Sequence, residues 1–115
     1  MKTHKLSDFT RGWFIGDFSP TLVSTKDFEV AVKEYKKGDS EDAHYHKVAN
    51  EITVVLYGKC SINGKVFEKG DIIWNEPGEV AKFDALEDTA NVVVKIPSVK
   101  GDKYLTDQSL ETSSG

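Results

Sequence analysis

No stretch of a dozen residues in this chain carries apolar side chains at the period of a helix, and that narrows its fold more than any other feature. Short segments rich in Val, Ile, Phe, Tyr and Trp follow one another instead, at roughly 8–12-residue spacing, each closed by Gly, Pro, Asp or Asn. The sharpest local signal is Cys60-Ser61-Ile62-Asn63-Gly64-Lys65-Val66-Phe67. Asn63-Gly64 suits the two positive φ values of a type I′ turn, so a hairpin is predicted there. Further strands are predicted at 13–15, 21–24, 28–33, 43–46, 51–57, 71–75, 80–84 and 91–96. Phe28, Val30 and Val32 alternate with Glu29, Ala31 and Lys33, which reads as an apolar face turned to a core. Many short strands with turn signals mean an all-β sandwich or barrel, the barrel closing as a jelly roll.

Composition fixes the scale. A chain of 115 residues, 38% apolar and 30% charged, holds one core and is not disordered. Fifteen basic and nineteen acidic side chains give a net charge of −4 with no Lys/Arg block, which argues against nucleic acid as a partner. The single cysteine, Cys60, rules out an intrachain disulfide and a cysteine-based zinc cluster and fits a reducing compartment. It reads as buried filler, since no motif of a thiol enzyme surrounds it. The start, Met1-Lys2-Thr3-His4-Lys5, is basic but has no apolar stretch after it, and no window of about 18 apolar residues exists. A cytoplasmic protein without membrane contact is expected. His4 lies in this terminal stretch and is not expected to be a ligand.

The chemistry is concentrated in Gly38, His44, His46, Glu51 and Gly58, spaced G-x5-H-x-H-x4-E-x6-G. Two histidines two apart on a strand leave the same face, and Glu51 on the next strand folds back beside them. Two imidazoles and a carboxylate suit one divalent transition metal (Fe, Mn, Ni, Co or Zn), with open positions for water or substrate. Two plainer readings compete: a solvated His pair, and a salt bridge from Glu51 to a lysine that offsets its burial among Ile, Thr and Val. Tyr57, Trp74 and Phe83 are candidates to line a ligand cavity beside the centre, against the ordinary reading of aromatics as core. On the strand 51–57, Ile52, Val54 and Leu56 face one way and Thr53, Val55 and Tyr57 the other. An apolar face beyond the core predicts a homodimer, or cover by the segment carrying Trp13 and Phe14.

The five-residue pattern resembles the first motif of the cupin superfamily. Its second motif, G-x5-P-x-G-x2-H-x3-N, is similar in part to the stretch from Gly70 to Ala85: Gly70 and Gly78 match, while Glu76 stands for the proline, Ala81 for the histidine and Ala85 for the asparagine. The resemblance covers residues 28–97. It implies a single-domain jelly-roll β-barrel with one metal at its centre, often dimeric, in a superfamily of dioxygenases, isomerases, epimerases, decarboxylases, lyases and non-enzymatic binders. The expected organisation is an N-terminal segment, 1–27, packing short strands on the barrel; the barrel, 28–103; and a polar flexible tail, 104–115. The histidine missing at Ala81 leaves Glu79, on the same strand, as the candidate fourth ligand, with a turn residue as its plain alternative. Function then divides between a metal-dependent enzyme acting on a small polar molecule, such as a sugar derivative or a carboxylic acid, and a non-catalytic small-molecule binder or sensor, with or without metal.

Overall fold

In the computed structural model, residues 1–106 are described. Two short 3-10 turns, Leu6–Asp8 and Thr10–Gly12, lead into β1 (Trp13–Ile15), β2 (Glu29–Tyr35), β3 (Ser40–Tyr45), β4 (Asn50–Tyr57) and β5 (Lys59–Ile62). The chain continues through β6 (Lys65–Glu68), β7 (Ile72–Asn75), β8 (Ala81–Ala85), β9 (Thr89–Ile96) and β10 (Tyr104–Leu105). One antiparallel sheet has the order β1-β2-β9-β4-β7, the other β10-β3-β8-β5-β6. The expected all-β fold is present.

Two turns are made by the residues that the sequence offers for them. Asn63 and Gly64 both take positive φ, 53° and 82°, and join β5 to β6 as predicted. Gly58, at φ 86°, lies so close to the chain opposite that a Cβ there would meet the Asp88 carbonyl oxygen at 2.2 Å. The last glycine of the motif is therefore required by close approach of two backbones.

Register decides which side chains enter the barrel, because directly opposed residues share a face. Across β2, β9, β4 and β7 one inner row is polar: Glu29 opposes Lys95, Lys95 opposes Glu51, and Glu51 opposes Asn75. The next inner row is Ala31, Val93, Thr53 and Ile73. The core proper lies further along, where Val55 meets Cys60, Ile62, Ala81, Phe83 and Ala85 of the second sheet, with Tyr35, Phe67 and Ile73 packed against them. One end of the barrel is thus filled with apolar side chains, and the other is left polar.

The alternation on β2 runs opposite to the expectation. Ala31 is the buried residue, Glu29, Lys33 and Tyr35 share its face, and Phe28 is exposed. Val30 and Val32 instead join an outer apolar surface, Val30-Val94-Ile52-Trp74 and Val32-Val92-Val54-Ile72. The segment expected as a strand at 21–24 makes only one bridge, Ile15 to Val23. Residues 104–105, expected in a flexible tail, form β10 against Tyr45 and His44, and the Thr106 N–H donates to the Ala43 carbonyl. The rest of that expectation, 107–115, lies outside the described residues.

Candidate metal centre

A bulge in β3 prepares the site. Glu41 opposes Phe83 and His44 opposes Ala81, a register shift of one residue that turns Glu41 and His44, three apart, to the same cavity. His46 follows at the end of the strand, and Glu51 comes in from β4 on the facing sheet. His44 and His46 are buried, 8% and 5% exposed, and Glu51 is nearly so. One ligand atom from each lies within 4.8 Å of the others, which makes this the group among the described residues able to hold an ion.

Backbone carbonyls orient both imidazoles. His44 Nδ1–H donates to the Asp42 carbonyl at 2.9 Å, and His46 Nδ1–H donates to the Asp102 carbonyl. Each proton is assigned to Nδ1 by its carbonyl partner, which leaves Nε2 as the free donor atom, as in metal sites whose ligands are held from behind. His46 Nε2 lies 2.7 Å from Glu51 Oε2. Two atoms bearing lone pairs do not approach so closely unless a proton or a cation lies between them. Burial works to raise the Glu51 carboxyl, but the hydrogen bond and charge of His46, with Lys95 and His44 behind it, outweigh this and hold it below the usual value. The partner of Glu51 is therefore His46 and not a lysine: Lys95, its neighbour in register, pairs with Glu29 at 3.3 Å. The solvated reading of the His pair fails on the burial of both rings.

Asp102 ties the loop between the ligands in place. Its carboxylate accepts from the N–H groups of Lys47 at 2.8 Å, Val48 at 3.2 Å and Ala49 at 2.9 Å, while its carbonyl receives His46. Burial opposes its ionisation, and those three donors overcome that and hold the carboxyl below its usual range.

The centre opens on a cavity of about 450 Å³ whose walls include Trp13, Phe18, Tyr35, Glu41, Lys33 and Lys95. None of the aromatics expected from the sequence lines it. Trp74 opposes Ile52 on the outer face, 60% exposed, with its Nε1–H on Asn50 Oδ1. Tyr57 is exposed at the end of β4, and Phe83 is buried in the core with its ring 4.4 Å from that of Tyr35. Trp13 and Tyr35 take the place assigned to them. Tyr35 is marked in the sequence by strand alternation: it stands two residues from Lys33 and six from Glu29, on the polar face of β2, which is the inner one.

Glu79 does not reach the centre. It is exposed in the turn before β8, where its N–H donates to the Glu76 carbonyl, and it is no member of the ligand group. Ala81 does occupy the relevant place, directly opposite His44, but its methyl packs into the core. The candidate donor set is therefore His44, His46 and Glu51, three residues whose chemistry fits a divalent transition metal.

No family model and no curated protein sequence matches the chain. Solved structures do. A Klebsiella pneumoniae protein with a double-stranded β-helix domain superposes over 91% of both chains, with TM-score 0.69 and 21% identity. The chain has the cupin fold. The DMSP lyase DddQ from Ruegeria pomeroyi matches this barrel over 87% of the present chain and 54% of its own, with TM-score 0.67 and 17% identity. The bacterial pirin YhhW from Escherichia coli, in complex with nickel(II), matches 76% of the chain and 39% of its own, with TM-score 0.61 and 19% identity. Identities this low speak for the shared cupin barrel.

Proposed function

We propose that this cupin binds one divalent transition metal through Nε2 of His44, Nε2 of His46 and the Glu51 carboxylate, and presents it to a small polar molecule in the adjoining cavity. The observation that carries this reading is the pair of carbonyls behind the imidazoles: each ring has Nδ1 on a carbonyl, which leaves Nε2 as its ligand atom, and one ligand atom from each of the three side chains lies within 4.8 Å of the others. The ion would serve as a Lewis acid for a bound oxygen group. The protein would supply the shape, the charge and the partial exclusion of water. That a protein of the same fold has been solved with nickel(II) supports the donor set without fixing the metal, and that another is a lyase supports an enzymatic use. Absorption spectroscopy of the protein titrated with cobalt(II) tests the centre. Visible bands that saturate at one ion per chain, and vanish in Glu51→Gln, are expected; no saturable band would leave His46 and Glu51 as an ion pair.

Two observations favour a second reading, a non-catalytic binder with or without metal. His46 and Glu51 already meet at 2.7 Å, and β8 contributes an alanine methyl where the family pattern places a fourth ligand. A buried ion pair of this kind is self-sufficient if a proton bridges it.

The same proposal includes a homodimer. Two outer rows of the first sheet carry eight apolar residues and no charge, and Ile72 and Trp74 are 67% and 60% exposed. A second copy related by a two-fold axis would bring this surface against itself. No helix is long and apolar enough to cross a membrane, and the free, buried thiol of Cys60 supports placement in a reducing cytoplasm.

A further inference from the structure

The charges around the cavity are unequal in how they are satisfied. Five basic and five acidic side chains line it, so the wall is formally neutral. Every carboxylate among them is engaged: Glu29 by Lys95 at 3.3 Å and by the Ser98 hydroxyl at 2.8 Å, and Asp17 by Lys100 at 3.8 Å. Glu41 accepts from the Tyr35 hydroxyl at 3.1 Å, Glu51 faces His46, and Asp102 is filled by backbone N–H groups. Three cations, Arg11, Lys33 and Lys103, have no ion-pair partner among the described residues.

Lys33 differs from the other two. Arg11 and Lys103 are exposed, whereas Lys33 is half-buried on the inner face of β2. Its ammonium lies 5.3 Å from the centre of the Trp13 ring, and that of Lys95 lies 4.9 Å from the same ring. An indole ring stabilises a cation weakly, by about 0.5–2 kcal/mol, and does not cancel the repulsion between two ammonium groups. Burial pushes the Lys33 ammonium down, Glu41 partly restores it, and Lys103, Arg11 and Lys95 add to the fall. A divalent ion at His44, His46 and Glu51 would then make a formally neutral cavity doubly positive.

We propose that the cavity takes a small carboxylate, held by the Lys33 ammonium as its counter-charge, with its other polar end toward the His44/His46/Glu51 centre. The proposal rests on the reading of this cavity as the ligand site of that centre and names the class of molecule. It also explains why Lys33, between Ala31 and Tyr35 on the inner face of β2, stands there without an ion-pair partner among the described residues: its counter-charge arrives with the ligand.

Calorimetric titration with acetate, malonate, succinate and glutarate, each beside its neutral amide, tests this on zinc-loaded and metal-free protein. At least one acid should bind about tenfold or more tightly than its amide, and Lys33→Met should remove that preference, since a hydrogen bond to a charged group is worth about tenfold or more. Lys33→Arg should keep most of it, and a melting curve for each variant separates lost binding from lost folding, with Lys33→Gln as the second neutral variant. Acids that bind no better than their amides, or an acid held undiminished by folded Lys33→Met or Lys33→Gln, would overturn the proposal. A chain that holds no metal yet binds an acid through Lys33 would overturn the metal reading and leave this one standing. A chain that holds metal but treats acid and amide alike would do the reverse.

Discussion

Asp102→Ala is the substitution through which the architecture of the site is most open to measurement. The carboxylate closes a loop of four residues, 46–49, between two proposed ligands, with three backbone donors at 2.8 to 3.2 Å. Hydrogen bonds to a charged acceptor contribute about 1.5–3 kcal/mol each. Lys47 and Val48 are exposed, so water replaces the acceptor there, while Ala49 is 2% exposed and its N–H would be left unsatisfied. The expected loss is about 2–4 kcal/mol, dominated by Ala49, which lowers the melting temperature by roughly 10–20 °C in a domain of this size. Because the loop begins at His46, metal affinity should fall as well, by about 10- to 100-fold, the effect of removing support behind a ligand. Differential scanning calorimetry and a metal titration read both quantities, with Asp42→Ala, at an exposed position, as the control. A melting shift of under about 2 °C with unchanged metal affinity would refute the reasoning, because the loop would then be held by something other than this carboxylate.

Three further outcomes follow from particular contacts. Ala81→His places an imidazole opposite His44 and should tighten metal binding by about 10- to 100-fold while destabilising the apo protein by about 1–3 kcal/mol, because the methyl it replaces sits in a packed core; unchanged metal affinity in a titration would show that this position does not face the centre. Burial, with Asp71 adding, pushes the Cys60 thiol up, so a thiol reagent near neutral pH should modify the native protein far more slowly than the unfolded one, and equal rates would contradict the buried placement. Trp74→Glu on the outer face should convert a dimer to a monomer in light scattering without changing metal content, whereas a wild-type monomer at all accessible concentrations would remove the dimer.

The parts legible in the sequence are those that depend on local spacing. The H-x-H pair, the return of Glu51 on the next strand and the Asn63-Gly64 turn are set within a few residues, and each is found where periodicity and turn chemistry place it. What escaped depends on contacts between distant segments. Glu29 and Lys95 are 66 residues apart and meet only because β2 pairs with β9, so the polar inner row cannot be seen in either strand alone. On β2 itself, Val30 and Val32 alternate as a core face does, but the outer surface is the more apolar one here and the cavity takes the charged side. Asp102 carries no local signal, because its role is fixed by backbone donors more than fifty residues earlier.

The central claim is most directly tested by metal stoichiometry. Protein prepared without chelators and dialysed against iron(II), manganese(II), nickel(II) or zinc(II), with His46→Ala in parallel, would be assayed by elemental analysis. The account predicts one tightly held ion per chain for at least one of these metals, and its loss from His46→Ala while the variant remains folded by circular dichroism. Equal, near-zero occupancy in both proteins would contradict it and leave the His46–Glu51 contact as a buried ion pair.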